Sequence, residues 1–197
     1  MSWVIFEENA EEYDKWYDRH RDIFLREVEC LKRIVDAEKP WLEVGVGTGR
    51  FAEMLGIEYG VDPSPKMIEY AKRRGIEAYV AYGEKLPFEE NTFGAVFLIV
   101  TICFLDRPRD VLMEIRRVLK LNGKLYVCYI PKDSPLGELY TKKAEKGHRF
   151  YSRAKFYTSK ELEKLLNTCG FEITKVEKAG LEPPDFFCIE AIKIDKK

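Results

Sequence analysis

Three glycines that alternate with other residues follow a short apolar segment, in the sequence LEVGVGTGRF over residues 42–51. Glycine adopts the positive φ angles of a tight turn without steric cost, so this pattern predicts a β-strand that turns directly into a helix. Gly45, Gly47 and Gly49 also lack a Cβ atom, which lets a ligand lie against the turn. The segment therefore predicts an α/β fold with a site for an adenosine-bearing cofactor.

The spacing of these glycines differs from the dinucleotide-binding fingerprint. That fingerprint requires a glycine three residues after its second glycine, where this chain has Arg50. Glu43 lies two residues before the first glycine, at a position where a hydride-transfer fold needs no carboxylate. The motif disfavours a nicotinamide oxidoreductase, and a glycine-rich turn that only lets a strand pack on a helix remains the alternative.

An acidic residue, Asp62, ends the second apolar segment. The end of the second strand of a βαβ unit is where ribose hydroxyls are bound. A carboxylate can accept hydrogen bonds from both vicinal hydroxyls at once, so we predict Asp62 as the ribose ligand. The sequence Asp62-Pro63-Ser64-Pro65 also favours a turn, and both roles can hold together.

The chain resembles the class I S-adenosylmethionine-dependent methyltransferases through an ordered series of motifs. E-x-G-x-G-x-G at residues 43–49 resembles motif I, and residues 83–88 resemble the E-x-L-P-F loop of the small-molecule branch. The resemblance continues over residues 93–108, and residues 114–125 resemble the E-I-x-R-V-L-K-P-G-G segment with Leu-Asn in place of Pro-Gly. It covers the chain from about Tyr13 to Phe171, and an ordered series is more specific than any single motif.

The resemblance implies S-adenosylmethionine as the cofactor, and the scattered cysteines indicate no metal site. In the family, the acidic residue of motif I helps to hold the methionine ammonium, the glycines face the amino-acid end, and the loop at residues 82–86 covers the adenine. Tyr82 stands where the family often has aspartate, so its ring can stack on the adenine instead. The predicted cofactor-binding residues are Tyr13, Glu43, Gly45, Gly47, Gly49, Asp62, Pro63, Tyr82, Gly83, Glu84, Leu86 and Val100.

Alternation of strands and helices predicts one Rossmann-like, doubly wound domain over residues 1–197. We expect a mostly parallel seven-stranded sheet with an antiparallel last strand, an N-terminal helical cap over 1–38 and a lid over 131–157. The predicted strands are 41–44, a second that ends at Asp62, 76–81, 95–100, 124–130 and a closing hairpin of 171–177 and 186–194. The apolar run 95–105 is too short to span a bilayer and is typical of a strand buried on both faces.

The predicted helices follow from apolar spacing and from cap residues. A helix through Phe24, Val28, Leu31 and Val35 should end before Pro40, and others should follow Thr48 and cover 65–74 and 108–119. Thr158 and Glu161 form a capping box ahead of a further helix. Residues 195–197 are expected to be a tail.

Composition favours a small-molecule partner. The 33 Lys and Arg against 34 Asp and Glu give a net charge of −1, so nothing global indicates a nucleic-acid or membrane partner. The five scattered cysteines form no C-x-x-C pair, and the acidic N-terminus is unlike a signal peptide. We expect a cytoplasmic monomer or homodimer.

Methyl transfer needs an acceptor beside the cofactor, but no covalent enzyme intermediate. A general base is required only where the acceptor must lose a proton first. His148, in the variable segment before the last helix, and Tyr17 are the candidates, although a histidine in such a segment is more often an ordinary surface residue than a base. Tyr13, Trp16 and Tyr17 resemble the family's N-terminal segment over the cofactor, or pack as an aromatic helix face. Cys103 is expected to be a small buried side chain rather than a nucleophile.

Two functions follow from these observations. The first is a small-molecule methyltransferase whose acceptor atom, N, O or C, is undetermined. The second is a non-catalytic protein of the same fold that binds S-adenosylmethionine or S-adenosylhomocysteine, because a fold alone does not establish catalysis.

Overall fold

The computed structural model of the chain describes residues 1–194. The strands in this range are β1 (Trp41–Val44), β2 (Tyr59–Asp62), β3 (Glu77–Val80), β4 (Phe93–Ile99), β5 (Leu119–Tyr129), β6 (Phe171–Ala179) and β7 (Phe186–Lys193). The helices are α1 (Val4–Glu8), α2 (Ala10–Arg19), α3 (Arg21–Ile34), α4 (Arg50–Leu55), α5 (Pro65–Arg73), α6 (Pro108–Val118), α7 (Pro135–Glu145) and α8 (Ser159–Thr168). The tail predicted at residues 195–197 lies outside the described residues.

The seven strands form one sheet in the order β3-β2-β1-β4-β5-β7-β6. Strands β1 to β5 pair in parallel, and β7 runs antiparallel to both β5 and β6. This confirms the predicted Rossmann-like sheet with its antiparallel last strand. The chain order reverses between β1 and β4, and ligands of open α/β sheets bind at the carboxyl ends of the strands at such a point.

The centre of the sheet is apolar on both faces. Every residue of β4 is buried, as a parallel strand covered by helices on both sides should be. The strand ends at Ile99, one residue before its predicted end at residue 100, and the rest of the apolar run to residue 105 does not belong to it. Val100 has a φ of 52°, which breaks the extended conformation, and a 3-10 turn follows at Ile102–Phe104.

The start of β5 differs from prediction by five residues. Strand β5 begins at Leu119, not at residue 124, because Leu119 pairs with Phe93 and Lys124 with Ala95. The extra residues form an irregularity in which Asn122 has a φ of 64°, and sequence periodicity cannot show such a bulge. Helix α3, by contrast, ends at Ile34, before Pro40 as predicted, with Val35 as its C-cap residue.

The closing elements agree with prediction. The hydroxyl of Thr158 accepts from the backbone N–H of Glu161 (3.2 Å), and the carboxylate of Glu161 accepts from the N–H of Thr158 (2.8 Å). These reciprocal bonds confirm the capping box at the start of α8. Strands β6 and β7 pair as the predicted antiparallel hairpin. Within residues 1–194, no helix is both long and apolar enough to cross a membrane.

Candidate functional site

A cavity of about 460 Å³ opens at the carboxyl ends of β1, β2 and β4. Its walls come from the turn between β1 and α4, the end of β2, the loop after β3 and the residues after β4. Helix α1 and the residues before it cover it from above. The volume lies in the usual range for small-molecule and cofactor sites.

The sequence predicted that all three glycines of the turn lie at the cofactor site. Two of them line this cavity and the third does not. Gly45 and Gly47 line the cavity and have φ angles of 76° and 52°. A Cβ atom on Gly47 would approach only the ring of Tyr13, at 3.7 Å, so it would point into the ligand space. Gly49 does not line the cavity: a Cβ there would lie 3.0 Å from the Cα of Ala71, so this glycine allows close packing of α5 instead.

The carboxylate of Asp62 organises the turn and also faces the cavity. One oxygen accepts from the backbone N–H of Gly47 (3.1 Å), and the other accepts from the N–H of Ser64 (2.9 Å). Each carboxylate oxygen can accept a second hydrogen bond, so a vicinal diol can still bind. Burial raises the pKa of Asp62 to about 6, so the group is mostly ionised at neutral pH.

Glu43 lies beneath the turn instead of in the wall of the cavity. It is 2% exposed, and burial raises the pKa of its carboxyl well above the ordinary value. The carboxylate accepts a hydrogen bond from the backbone of Ala52 in α4, while its Oε2 atom has no hydrogen-bond partner in the described chain. Its predicted contact with a cofactor ammonium therefore stays a prediction.

The loop after β3 divides its residues between the cavity and the core. Tyr82, Gly83 and Glu84 of this loop line the cavity, as does Pro63, which follows β2. Leu86 is buried in the hydrophobic core and does not line it. Tyr82 is about half exposed on the cavity side, where its ring contacts that of Trp3 edge-on, with centroids 6.2 Å apart.

Sequence reasoning missed two polar contacts that attach the N-terminal helices to the site. In the first, the carboxylate of Glu7 in α1 accepts from the hydroxyl of Ser64 (2.5 Å) and from the N–H of Lys66 (3.1 Å). A carboxylate at the start of α5 also interacts favourably with the helix dipole. No local sequence signal identifies this contact, because its partners are 57 and 59 residues apart.

The second contact is an ion cluster around Arg50. Its guanidinium donates to both carboxylate oxygens of Asp14 (2.9 and 2.7 Å) and to Asp18 (2.9 and 3.0 Å). Arg74 donates to Asp14 as well (3.1 Å). Arg50, which stands where the dinucleotide fingerprint has a glycine, therefore connects the start of α4 to α2 through ion pairs.

A second cavity of about 270 Å³ adjoins the first. Both cavities are lined by Phe6, Tyr13, Val100 and Phe104, so these residues form a shared wall. Val100 is a β-branched residue in the left-handed region, a costly conformation that occurs mainly at functional sites. The far side includes residues from α7 and from the segment after it, the region predicted as a lid.

The candidate general bases are not placed as a base would require. Tyr17 lines the second cavity, but its hydroxyl is hydrogen-bonded to that of Tyr13 (2.8 Å), and burial raises its pKa well above the ordinary value. His148 is exposed, stacks on Tyr151 (centroids 4.5 Å apart) and lines neither cavity. Burial raises the pKa of the Cys103 thiol to about 12, as expected of a small buried side chain.

Sequence reasoning also missed Glu27, which lines the second cavity. The sequence did indicate that Glu27 would be buried, because it lies three residues after Phe24 and four before Leu31, on the apolar face of α3. Burial raises the pKa of its carboxyl to about 8. A helix that is amphipathic elsewhere thus places one carboxyl among its buried residues.

Comparison with known proteins places the chain in a family. Residues 42–127 match the Methyltransferase domain family. An uncharacterized protein of Methanocaldococcus jannaschii is 38% identical over 205 residues, which cover 96% of this chain and 99% of that protein. An uncharacterized protein of Mycobacterium tuberculosis is 40% identical over 179 residues, but the chain spans only 63% of its length.

Solved structures agree with this assignment. A Thermotoga maritima protein described as a SAM-dependent methyltransferase, possible histamine N-methyltransferase, has a TM-score of 0.92 and 36% identity, over 98% of this chain and 100% of that one. A SAM-dependent methyltransferase from Methanosarcina mazei, at 21% identity and a TM-score of 0.69 over 84% of this chain and 97% of that one, shares the fold. This chain belongs to the class I S-adenosylmethionine-dependent methyltransferases, and its cofactor is S-adenosylmethionine.

Proposed function

We propose that this protein transfers the methyl group of S-adenosylmethionine to a small molecule bound in the second cavity. The proposal rests on the shared wall: the two cavities have Tyr13, Val100 and Phe104 in common, so ligands in both would meet there. Holding two reactants in line and excluding water supplies much of the rate of such a transfer. When bound, S-adenosylmethionine supplies a methyl group on a positively charged sulfonium.

The residues in the first cavity have the chemistry to hold this cofactor. Asp62 accepts from the ribose hydroxyls, the backbone at Gly47 leaves room for the amino-acid end, and Tyr82 offers a ring for the adenine. Gly45 lines the cavity as well, but a Cβ atom there would clash with the side chain of Thr101, so this glycine makes room for Thr101 and not for the cofactor. Gly49 and Leu86 act by packing, since neither lines the cavity. Arg50 and Glu7 hold the N-terminal helices in place over the site.

Isothermal titration calorimetry with S-adenosylmethionine and S-adenosylhomocysteine tests this function, followed by transfer of a labelled methyl group to a panel of small acceptors. We expect both nucleosides to bind and at least one acceptor to be labelled. Binding without transfer to any acceptor would favour the non-catalytic alternative. If neither nucleoside binds, both functions are wrong.

Cofactor affinity should depend on pH through Asp62. Because the pKa of Asp62 is raised to about 6, the carboxylate becomes protonated as the pH falls through 6 and then accepts fewer hydrogen bonds. We expect the affinity for S-adenosylhomocysteine to fall by roughly tenfold for each pH unit below about 6. Calorimetry between pH 5 and 8, with circular dichroism as a check on folding, measures this. A flat profile with intact folding would contradict the role of Asp62.

The remaining expectations about partners and location belong to the same proposal. A net charge of −1 supports a small-molecule acceptor over a nucleic acid or a membrane surface. The five cysteines are free and buried, which supports a reducing compartment such as the cytoplasm. We propose a monomer or homodimer, which light scattering at several concentrations tests directly.

A further inference from the structure

We propose that the acceptor is an organic cation whose ammonium group pairs with the carboxylate of Glu27 in the second cavity. This inference rests on the proposed function and names the chemical class of its acceptor. It comes from the walls of the cavity, which combine one unpaired buried carboxylate, an excess of negative charge and several aromatic rings.

Glu27 is a buried acid without a partner. It is 7% exposed, lines the cavity and makes no side-chain hydrogen bond within residues 1–194. Burial of an ionisable group without a partner is costly, and its pKa is raised to about 8 for that reason. A bound ammonium group would supply both the missing hydrogen bonds and the missing charge.

The charged groups next to Glu27 are unbalanced in the direction that suits a cation. Arg26 and Asp185 are its charged neighbours, with the guanidinium Nη2 atom 3.9 Å from the Oδ1 atom of Asp185. That Oδ1 atom is buried and has no hydrogen-bond partner in the described chain. Two carboxylates and one guanidinium leave one uncompensated negative charge when both acids are ionised. A carboxylate or phosphate acceptor would find no cationic partner there that Asp185 does not already neutralise.

Aromatic rings form much of the rest of the wall. Trp16, Tyr17, Phe51, Tyr140 and Tyr151 all line the cavity. An ammonium group over such a face is attracted by the ring quadrupole, more strongly where water is excluded. A volume of about 270 Å³ suits a small molecule with one ring and a short chain rather than a peptide.

Glu27 and the cofactor site are connected through Tyr13. This residue belongs to the shared wall, and its phenol interacts electrostatically with both Asp62 and Glu27. An acceptor that pairs with Glu27 would therefore extend along the second cavity toward the first. The ion pair with Glu27 holds the ammonium end of the acceptor, and the rest of the molecule contacts the shared wall.

Matched probes of different charge test the proposal by calorimetry, with binding as the readout. The probes are 2-phenylethylamine with 2-phenylethanol and tryptamine with tryptophol, which differ in the ammonium group alone. We expect at least one amine to bind about tenfold or more tightly than its alcohol. Equal binding within both pairs, or no binding of any probe, overturns the proposal.

Two variants test whether Glu27 is the residue that causes the preference for the amine over the alcohol. Glu27→Gln keeps the size of the side chain and removes its charge, so the preference for the amine should fall to less than about threefold. Glu29→Gln is the control, because Glu29 lies exposed on the same helix in an ion pair with Lys32 (3.1 Å). A preference that survives in Glu27→Gln, or that is lost equally in Glu29→Gln, contradicts the role of Glu27.

The wild-type protein provides a test that does not depend on a variant. With a pKa of about 8, Glu27 is protonated at pH 6 in the empty cavity and must release a proton to pair with an ammonium group. Amine affinity should therefore rise about 50-fold from pH 6 to 8, with the larger fold-change below pH 7, while alcohol affinity stays flat. The ionisable groups that interact electrostatically with Glu27 are Tyr13, Tyr17, Arg26, Cys128, Tyr140, Asp185 and Cys188, and Glu12 and Arg19 also line the cavity. The phenols and thiols among them have a raised pKa and stay neutral in this range. A flat amine profile would be evidence against the pairing.

Failure of this inference and failure of the proposed function are distinguishable. S-adenosylhomocysteine is titrated first into the same protein, and the probes are then titrated with and without it. Nucleoside binding without an amine preference rejects the acceptor class alone. An amine preference without nucleoside binding rejects the methyltransferase function alone.

Discussion

Replacing Asp14 by alanine is expected to lower the free energy of unfolding by about 3 to 5 kcal/mol, since it removes one partner of a buried ion pair. The side chains of Asp14 and Arg50 are only 11% and 17% exposed, and Arg74 also donates to Asp14. Burial alone would raise the pKa of Asp14, but the hydrogen bonds and charges of the two arginines hold it below its ordinary value. Alanine would remove the one buried carboxylate of the cluster and leave Arg50 with Asp18 and Arg74 with Glu53, both of which are more than half exposed.

The control for this prediction lies one residue further along the same helix. Lys15 pairs with Glu11 at 2.6 Å, but the two side chains are 64% and 69% exposed. Lys15→Ala should therefore change the free energy of unfolding by less than about 1 kcal/mol. Urea denaturation of both variants measures the difference. Equal effects would show that the cluster around Arg50 adds no more stability than a solvent-exposed pair.

Replacing Asp62 by asparagine is expected to weaken the binding of S-adenosylhomocysteine by about 10 to 150-fold, the loss of a charge-assisted hydrogen bond worth about 1.5 to 3 kcal/mol. Asparagine keeps one acceptor oxygen, so one of the bonds from Gly47 and Ser64 can persist in the turn. It cannot accept from two ribose hydroxyls through two charged oxygens. Calorimetry at pH 7.5, where wild-type Asp62 is ionised, gives the ratio of the two dissociation constants.

Asp22→Asn is the matched control, because Asp22 is exposed in the first turn of α3. It removes the same charge from the chain without touching either cavity. We expect it to bind the nucleoside like the wild type. If Asp62→Asn folds normally and also keeps wild-type affinity, the cofactor does not use the end of β2.

Local patterns predicted most of the sheet and the position of the first cavity. The positive φ angles of Gly45 and Gly47 follow from a glycine pattern inside ten residues, and the capping box of α8 is contained in four. Asp62 was predictable because strands of a βαβ unit end at the same edge of a sheet. In each case the residues that decide the structure are neighbours in sequence or belong to one repeating unit.

Irregular backbone was less predictable. The predicted end of the fourth strand at residue 100 is close to the observed end at Ile99, but no sequence pattern indicates that Val100 takes a φ of 52° at the cavity. Leu86 and Gly49 match motif positions, but packing against the core and against α5 decides their places. A motif gives the residue type at a position, whereas contacts with other elements decide which way that position faces.

The sequence by itself determined the order of strands and helices, the glycine turn and the acid that follows β2, because these depend on short-range backbone preferences and apolar periodicity. Only the tertiary structure brought Arg50 to Asp14 across 36 residues and Glu7 to Ser64 across 57. Only the tertiary structure, likewise, enclosed Glu27 in a cavity built from helices distant along the chain. The physical reason is that burial, and with it the pKa of a carboxyl, is set by every element packed around it.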